Sequence, residues 1–374
     1  MCSLRKQKRQ YTAQTGEIRA DGSVRSDAEA VLTAKDITIG GGISAKRNAQ
    51  LTAGENMTLG GKTDVGGTLT TNVAHDLTVN DAVTTGADFA AIVGNNAVTN
   101  GIVTTNGALK WNVGKDLTTN AAVLSHGTTT IDAQNVKLSA DLMSDKNLTI
   151  TAKNNIFTKE GTNLSTKSDG RLKARTADLG GDVHADGTLT IETDEQLAAK
   201  NITAGGNATL NAGAELSAKD MNVGGDLNAK AKNITANNVT GKGNAVLTAD
   251  KNVTLAGAFS AKNNAVLTAG ETATLGGKTD VGETLTANVG RDFVTNGAVT
   301  TGKELIANIG NDLAMNDLVS TGGNASLTVG RNVTLDGALI TGGDFTAKVG
   351  NDFTANGALT TGGNFTANVA HDLT

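Results

Sequence analysis

The chain has 374 residues, no proline, 47 glycines, 2% aromatic residues and a formal net charge of −5. This acidic balance lacks the bulk positive field of nucleic-acid-binding proteins, and no run of about 18 apolar residues is present to cross a membrane as a helix. The one cysteine, Cys2, excludes internal disulfides and a cysteine-based zinc site.

The first residues form a basic stretch that includes Arg5, Lys6, Lys8 and Arg9. No apolar segment follows this stretch, so it lacks the pattern of a signal peptide. We expect residues 1–15 to be a poorly ordered tail and residues 16–374 to form a single repeat domain.

Repetition dominates the chain after this tail. Leu51–Gly86 and Leu267–Gly302 match almost residue for residue, and each contains a shorter period of about 20 residues. Within a period apolar and polar residues alternate, as in Leu285–Val289, which is typical of a strand. Repeats built from helix pairs need about 33 residues or more. The pattern therefore predicts an all-β parallel β-helix, a solenoid with three short strands in each coil.

From residue 16 onward the period predicts about 18 coils, which would stack to roughly 85–90 Å at ~4.8 Å per coil. The period is strict in residues 48–124 and 262–374, whereas in residues 125–261 some coils are shorter and others longer. We expect a loop to leave the coils within residues 153–181, where the repeat is least regular. The chain stops in mid-coil, which predicts a piece of a longer protein or a truncated reading frame. We expect a monomer. Its uncapped coils leave unpaired edges, through which it can associate laterally or end to end.

Stacked coils explain the missing proline, because nearly every strand residue must donate a backbone hydrogen bond and proline has no N–H group. The turns between strands are rich in Asn and Gly. We expect these residues to supply the positive φ angles that sharp bends need.

Three sets of residues stand out from the repeat. A polar column predicts a structural ladder of asparagines, and two apolar columns place phenylalanines in the core. Trp111 breaks its column, which otherwise holds Ala, Thr and Leu, so we expect its ring to bulge outward or to displace core. The ladder residues are Asn80, Asn100, Asn120, Asn296, Asn316 and Asn356, with Phe293 and Phe353 in one apolar column and Phe345 and Phe365 in another.

The polar residues favour structure over catalysis. Catalytic carboxylates act as one pair in one cleft, whereas acids recur here once per coil. We therefore interpret the acidic column as turn chemistry, in which Asp and Asn bond the local backbone, and not as a row for sugar hydrolysis or calcium. The histidines are dispersed. We interpret His75 and His371, whose column holds Lys, Arg or Asn in other coils, as solvated turn residues, and we predict no catalytic, cofactor-binding or metal-binding residue. The acidic column is Asp76, Asp116, Asp292, Asp312 and Asp352, and the histidines are His75, His126, His184 and His371.

Other motifs are weak. The glycine runs lack the Lys-Ser/Thr of a phosphate loop, and no nine-residue calcium-binding repeat occurs. Asn-x-Ser/Thr triplets such as those at Asn147 and Asn207 arise from an Asn- and Thr-rich composition. Paired threonines, such as Thr84-Thr85 and Thr300-Thr301, could form a flat face for ice or glycan, but we place them at turns.

The repeats Gly206–Ala218, Gly243–Ser260 and Gly362–Thr374 resemble those of the filamentous haemagglutinin family, the exoproteins of bacterial two-partner secretion. The resemblance covers the chain from about residue 16 onward. It implies a right-handed β-helix shaft, exported across the Gram-negative outer membrane by a partner transporter and displayed at the cell surface. The asparagine-proline motifs of the family's secretion domain are absent, so export is expected of a parent protein.

The resemblance implies a structural shaft that projects an adhesive or toxic tip toward a host or neighbouring cell and contributes to adhesion. The family also includes the stalks of contact-dependent growth inhibition toxins, which is the main alternative. A glycan-binding or glycan-cleaving β-helix is a more distant one. Such enzymes need aromatic sugar platforms and a unique charged cluster, which this sequence does not predict.

Overall fold

The structure, a computed structural model, describes residues 9–13 and 16–374. The described residues form 47 β-strands and no helix. They divide into two compact units, the first ending at Gly187 and the second spanning Thr188–Thr374. Strands of successive coils pair in parallel, as Leu69–Val73 does with the strand that starts at Phe89. The prediction of an all-β parallel solenoid with about 18 turns of about 20 residues is confirmed.

The strands are numbered here in chain order. Those of the first unit are β1 Arg9–Thr12, β2 Glu17–Ala20, β3 Val24–Ser26, β4 Ala30–Ala34, β5 Asp36–Ile39, β6 Ile43–Ala45, β7 Ala49–Ala53, β8 Met57–Leu59, β9 Thr63–Val65, β10 Leu69–Val73, β11 Leu77–Val79, β12 Val83–Thr85, β13 Phe89–Val93, β14 Ala97–Thr99, β15 Val103–Thr105, β16 Leu109–Val113, β17 Asp116–Thr119, β18 Val123–Ser125, β19 Thr129–Leu138, β20 Leu142–Ser144, β21 Leu148–Thr158, β22 Leu164–Thr166, β23 Gly170–Ala174 and β24 Thr176–Ala185.

Those of the second unit are β25 Leu189–Thr193, β26 Gln196–Ala204, β27 Ala208–Ala212, β28 Glu215–Val223, β29 Leu227–Gly241, β30 Ala245–Leu255, β31 Phe259–Ala261, β32 Ala265–Ala269, β33 Ala273–Leu275, β34 Thr279–Val281, β35 Leu285–Val289, β36 Phe293–Thr295, β37 Val299–Thr301, β38 Leu305–Ile309, β39 Leu313–Met315, β40 Val319–Thr321, β41 Ala325–Val329, β42 Val333–Leu335, β43 Leu339–Thr341, β44 Phe345–Val349, β45 Phe353–Ala355, β46 Leu359–Thr361 and β47 Phe365–Val369.

A regular coil has three faces, and each face carries one strand. In the first unit, β10 lies on the first face, β11 on the second and β12 on the third, and each pairs with its counterpart in the next coil: β13, β14 and β15. In the second unit, β35, β36 and β37 lie on the first, second and third faces of their own coil and pair with β38, β39 and β40 of the next coil. Alternate residues of each strand are buried, so a core of Leu, Val, Ile and Ala runs inside the coils of each unit.

Coils in the irregular stretch differ in length, and their strands fuse. Strand β29 is 15 residues long and runs through all three faces, since it pairs with β30 and then with β31. On the first face Leu227 pairs with Ala245, which makes this coil shorter than a regular one, in which Leu285 pairs with Leu305. A shorter coil has no residues to spare for separate corners, so the backbone turns within a continuous strand.

The loop expected within residues 153–181 does not leave the coils. Strands β21 to β24 occupy most of this range, and the pairing of Leu148 with Gly170 makes this coil longer than a regular one. The extra residues make a tight turn in which the backbone N–H of Thr162 donates to the carbonyl of Lys159 at 2.9 Å. Such a turn accommodates them without breaking the pairing on either side.

The predicted basic tail lies partly outside the described residues. Within it, Arg9–Thr12 forms β1, which pairs with Ala30–Thr33 of β4. It is the first-face strand of a coil that β2 and β3 complete, since these two strands pair with β5 and β6.

The corners turn without the positive φ angles predicted for Asn and Gly. Among the described residues only Gly161 has a positive φ, 77°. Most glycines are required instead because a Cβ atom would lie too close to the preceding coil. A Cβ atom on Gly330 would lie 2.0 Å from the carbonyl oxygen of Gly310 in the coil before, whereas a Cβ atom on Gly54 would meet nothing closer than 3.7 Å. The glycines allow close stacking of successive coils, not left-handed bends.

Replacement of Gly330 by alanine is therefore expected to destabilise the second unit by about 1–3 kcal/mol, the range for overpacking a closed site. The matched control is Gly54→Ala at the equivalent corner of the first unit, where space is available. There the lower entropy of the unfolded chain should leave stability unchanged or raised by about 0.4–1 kcal/mol. Denaturant titration measures both, and equal losses for the two variants would contradict the steric explanation.

Candidate functional site

Asparagine side chains lie just after the second-face strand in three consecutive coils of the first unit. The Nδ2 group of Asn100 donates to Oδ1 of Asn80 at 3.0 Å, and that of Asn120 donates to Oδ1 of Asn100 at 2.8 Å. All three side chains are exposed. These bonds form an asparagine ladder that ties the outer edges of three coils together.

The second unit carries the same ladder in two pairs. The Nδ2 group of Asn316 donates to Oδ1 of Asn296 at 2.8 Å. That of Asn356 donates to Oδ1 of Asp336 at 2.7 Å. The aspartate keeps the acceptor oxygen but has no N–H to pass the ladder on to the coil before it.

The acidic and amide column forms a second ladder, here called the corner ladder, between the first and second faces. Oδ1 of Asp76 accepts the backbone N–H and the Nδ2 group of Asn96, each at 3.0 Å. Oδ1 of Asp312 accepts the same groups of Asn332 at 3.1 and 2.9 Å. The expected bonds to the local backbone are therefore wrong for these residues. The next coil, about 4.8 Å away, places its N–H group within closer reach of the side chain.

A third ladder, which was not predicted, lies just before the first-face strands. Oδ1 of Asp88 accepts the backbone N–H of Ala108 at 2.8 Å, and Oδ1 of Asp344 accepts that of Asn364 at 2.6 Å. The signal in the sequence is the return of Asn, Asp or Thr to the position before the five-residue strand. In the strictly periodic stretches this position holds Asn48, Thr68, Asp88, Asn264, Thr284, Asn324, Asp344 and Asn364, and only Ala108 and Glu304 depart from the pattern.

The hydrogen bonds of these three ladders all run in one direction. The donor belongs to the later coil and the acceptor oxygen to the earlier coil, for backbone donors as for side-chain donors. Where a ladder runs, the earlier coil therefore presents oxygen acceptors to the coil that follows it in the chain.

The four predicted phenylalanines differ in burial. Phe293, Phe345 and Phe353 are fully buried, while Phe365 is 43% exposed. Phe345 stacks on Phe365 with ring centroids 5.1 Å apart and meets Phe353 edge to face at 6.1 Å. Phe293 lies between Ala273 and Leu313 in its column. Three of the rings form one cluster, and the fourth fills a separate part of the core.

Trp111 points into the core of the first unit. It is 3% exposed, and its ring meets Phe89 edge to face with centroids 5.8 Å apart. Its column neighbours are Ala91 in the coil before and Ile131 in the coil after. The small alanine leaves room for the indole, so of the two expected positions the ring takes the inner one. Its Nε1 group has no hydrogen-bond partner among the described residues.

The paired threonines lie in third-face strands and not at turns, which corrects their expected position. The second member of each pair is buried: Thr85 donates to the carbonyl of Ala87 at 2.9 Å, and Thr301 to that of Lys303 at 3.4 Å. Only one threonine of each pair faces outward, and Ile340 interrupts the outward row in the second unit. A face one residue wide is a poor match to the flat array that ice or glycan would need.

The four histidines lie in coils that are not adjacent in the chain. His75 and His371 are exposed at corners of the first and second units, respectively. His184 has Nε2 2.7 Å from Oδ1 of Asp186. In the described part of the chain, no group of three or more His, Cys, Asp or Glu residues is placed to hold a metal ion.

His126 takes part in a small charged cluster at a corner after the third face. Its Nδ1 atom lies 2.6 Å from Oδ2 of Asp145, and Nζ of Lys167 lies 2.7 Å from Oδ1 of the same carboxylate. The hydrogen bond from Lys167, followed by that from His126, lowers the pKa of Asp145. The ionised carboxylate thus links three consecutive coils.

Because the pKa of Asp145 is lower in the folded state, its charge stabilises the fold above the ordinary aspartate pKa of about 3.9. This stabilisation is lost as the pH falls through the lowered folded value. We expect Asp145→Asn to lower the melting temperature at pH 6, and the gap to the parent protein to close toward pH 2. Asp64→Asn, at an exposed residue, is the control. A gap independent of pH would show that the charge of Asp145 is not responsible.

No helix in the described part of the chain has the length and apolar character that crossing a membrane requires. Comparison of the chain with protein-family models, with curated proteins and with solved structures gives no match. The residues and their geometry therefore carry the functional argument.

Proposed function

We propose that the chain is a shaft segment of a secreted bacterial surface adhesin, in which the coils act as a structural support. The observation that carries this proposal is the return of the same three ladders and the same buried columns in successive coils of each unit. Coils with the same contacts are interchangeable, and a support needs that property, whereas a catalytic cleft needs one coil unlike the others.

The contacts also suit a mechanical role. Each regular coil is joined to the next by parallel backbone pairing on three faces and by side-chain bonds at its corners. Each such hydrogen bond contributes about 0.5–1.5 kcal/mol. Because a coil contacts mainly its neighbours, resistance to unfolding adds up along each unit.

The resemblance of the repeats supports the finer parts of the proposal. These are export by an outer-membrane transporter of the two-partner type, display at the cell surface, and contact with host or neighbouring cells. The stalk of a growth inhibition toxin would use the coils in the same way. The supporting role is therefore common to the adhesins and the toxin stalks of that family.

Coil exchange in the producing bacterium tests the proposal. We expect replacement of residues 285–304 by a second copy of residues 325–344 to leave adhesion unchanged, because the coil number and the columns are kept. Removal of one to three whole coils should reduce adhesion progressively. A folded exchange variant that no longer adheres would show that residues 285–304 bind the target cell. That result would overturn the proposed role of the coils as a shaft.

Protease treatment of intact cells tests the location. We expect the protein to be degraded while cytoplasmic proteins survive. Protection of the protein until the cells are broken would contradict surface display.

A further inference from the structure

The chain contains four Asn-Gly pairs, at Asn100, Asn106, Asn296 and Asn356. In such a pair the backbone nitrogen of glycine can attack the side-chain amide carbon of asparagine. A C–N bond forms to give a succinimide, the backbone N–H proton is lost, and the side-chain nitrogen leaves as ammonia. Water then opens the ring to aspartate or isoaspartate. The reaction needs a free glycine nitrogen and a side-chain amide that can turn toward it.

At Asn106 the attacking group, the backbone nitrogen of Gly107, is engaged in hydrogen bonding. The backbone N–H of Gly107 donates to the carbonyl of Ala87 at 2.9 Å and lies 3.3 Å from Oγ1 of Thr105. Attack on Asn106 would break the bond that stacks this corner on the coil before it. The pair is therefore protected although the Asn106 side chain is exposed.

At Asn100 the group under attack, the side-chain amide, is fixed by hydrogen bonds. Its Nδ2 group donates to Asn80 and its Oδ1 atom accepts from Asn120. Rotation of this amide toward Gly101 would break two hydrogen bonds. The middle position of the asparagine ladder thus protects Asn100, even though the N–H of Gly101 has no partner among the described residues.

The remaining two pairs lie at the ends of ladder segments. Among the residues that the structure describes, Asn296 only accepts, from Asn316, and Asn356 only donates, to Asp336. Within the described residues, the N–H groups of Gly297 and Gly357 have no hydrogen-bond partner. Each reaction therefore has a free nucleophile and an amide held by one bond.

We propose that Asn296 and Asn356 are the sites at which the folded protein deamidates, and that the asparagine ladder protects Asn100. The two products differ in their effect on the ladder. A carboxylate at position 296 still accepts from Asn316, whereas a carboxylate at position 356 loses its donor and faces the carboxylate of Asp336. Modification at Asn356 therefore weakens the contact between two coils.

Peptide mass spectrometry of the full chain, incubated at mildly alkaline pH in ¹⁸O-labelled water, tests the proposal. We expect Asn296 and Asn356 to deamidate about tenfold faster than Asn100, since one hydrogen bond fewer must be broken. In urea, where no ladder exists, the four pairs should react at similar rates. Equal rates in the folded protein, or the fastest reaction at Asn106, would overturn the proposal.

Two variants test the protection itself. The double substitution Asn80→Ala and Asn120→Ala removes both partners of Asn100 and should raise its rate to that of Asn296 or above, with Asn106 unchanged. The control Asn316→Ala removes the partner of Asn296 alone, and should accelerate Asn296 without affecting Asn100. Circular dichroism verifies that the variants are folded. An unchanged rate at Asn100 in the folded double variant would show that the ladder does not protect it.

Discussion

Removal of one whole coil, residues 305–324, is expected to leave the second unit folded. The deletion joins Glu304 to Ala325, so the strands after the junction pair with the strands that lay two coils before them. Buried columns stay aligned, since Leu285 then pairs with Ala325 and Phe293 with Val333. Pairs of the same residue types already occur in these columns, as Leu305 with Ala325 and Val333 with Phe353. In a repeat array stability is approximately a sum over units and interfaces, so one coil's share is lost and the rest is retained.

Removal of half a coil, residues 305–314, is expected to prevent the second unit from folding. Asp317 would then take the buried position of Ala307, and Gly323 that of Leu313. An unpaired buried carboxylate costs several kcal/mol, and the glycine leaves a cavity where leucine packs. Circular dichroism and thermal melting compare the two deletions. A half-coil variant as stable as the whole-coil variant would contradict the register of the columns.

Phe293→Ala is expected to destabilise its coil by about 3–5 kcal/mol, the range for removing a buried aromatic ring. The ring is fully buried, and its column neighbour in the coil before is Ala273, which is too small to fill the space. Hydrogen exchange of the amides in β36 and its neighbours measures the loss, because local opening reports the stability of individual coils.

Phe365→Ala provides the matched control with the same change of side chain. Phe365 is 43% exposed, and among the described residues its ring contact is with Phe345. We expect a loss of about 1 kcal/mol or less, close to the value of one aromatic pair at about 0.5–1.5 kcal/mol. Equal losses at the two positions would show that burial does not determine the contribution of these rings.

The fold could be predicted because the columns return at one fixed spacing along the chain. Alternation within Leu285–Val289 places one set of side chains in the core, and the same alternation returns in Leu305–Ile309 of the next coil. The asparagine ladder could be predicted for the same reason, since Asn80, Asn100 and Asn120 recur at one position. A side-chain contact between like residues of one column can be predicted in this way.

Other contacts could not be predicted, because they involve backbone atoms or depend on the distance between coils. Gly330 looks like a turn residue, yet its role depends on a carbonyl oxygen of the coil beneath. The third ladder joins side-chain oxygens to backbone N–H groups. Every residue type except proline carries such a group, so the identity of the donor residue does not indicate the bond. The inward position of Trp111 depends on the room beside Ala91.

The class of fold, the length of the coil and the identity of the buried columns follow from the amino-acid sequence, because strand alternation and the regular period are properties of the chain order. How the coils are joined is decided only in the folded molecule. The tertiary structure determines which glycines allow close stacking, which oxygens accept from the next coil, and in which direction the hydrogen bonds between coils run. These contacts arise between atoms that lie a whole coil apart in the chain but only about 4.8 Å apart in space, and their geometry exists only once the coils are stacked.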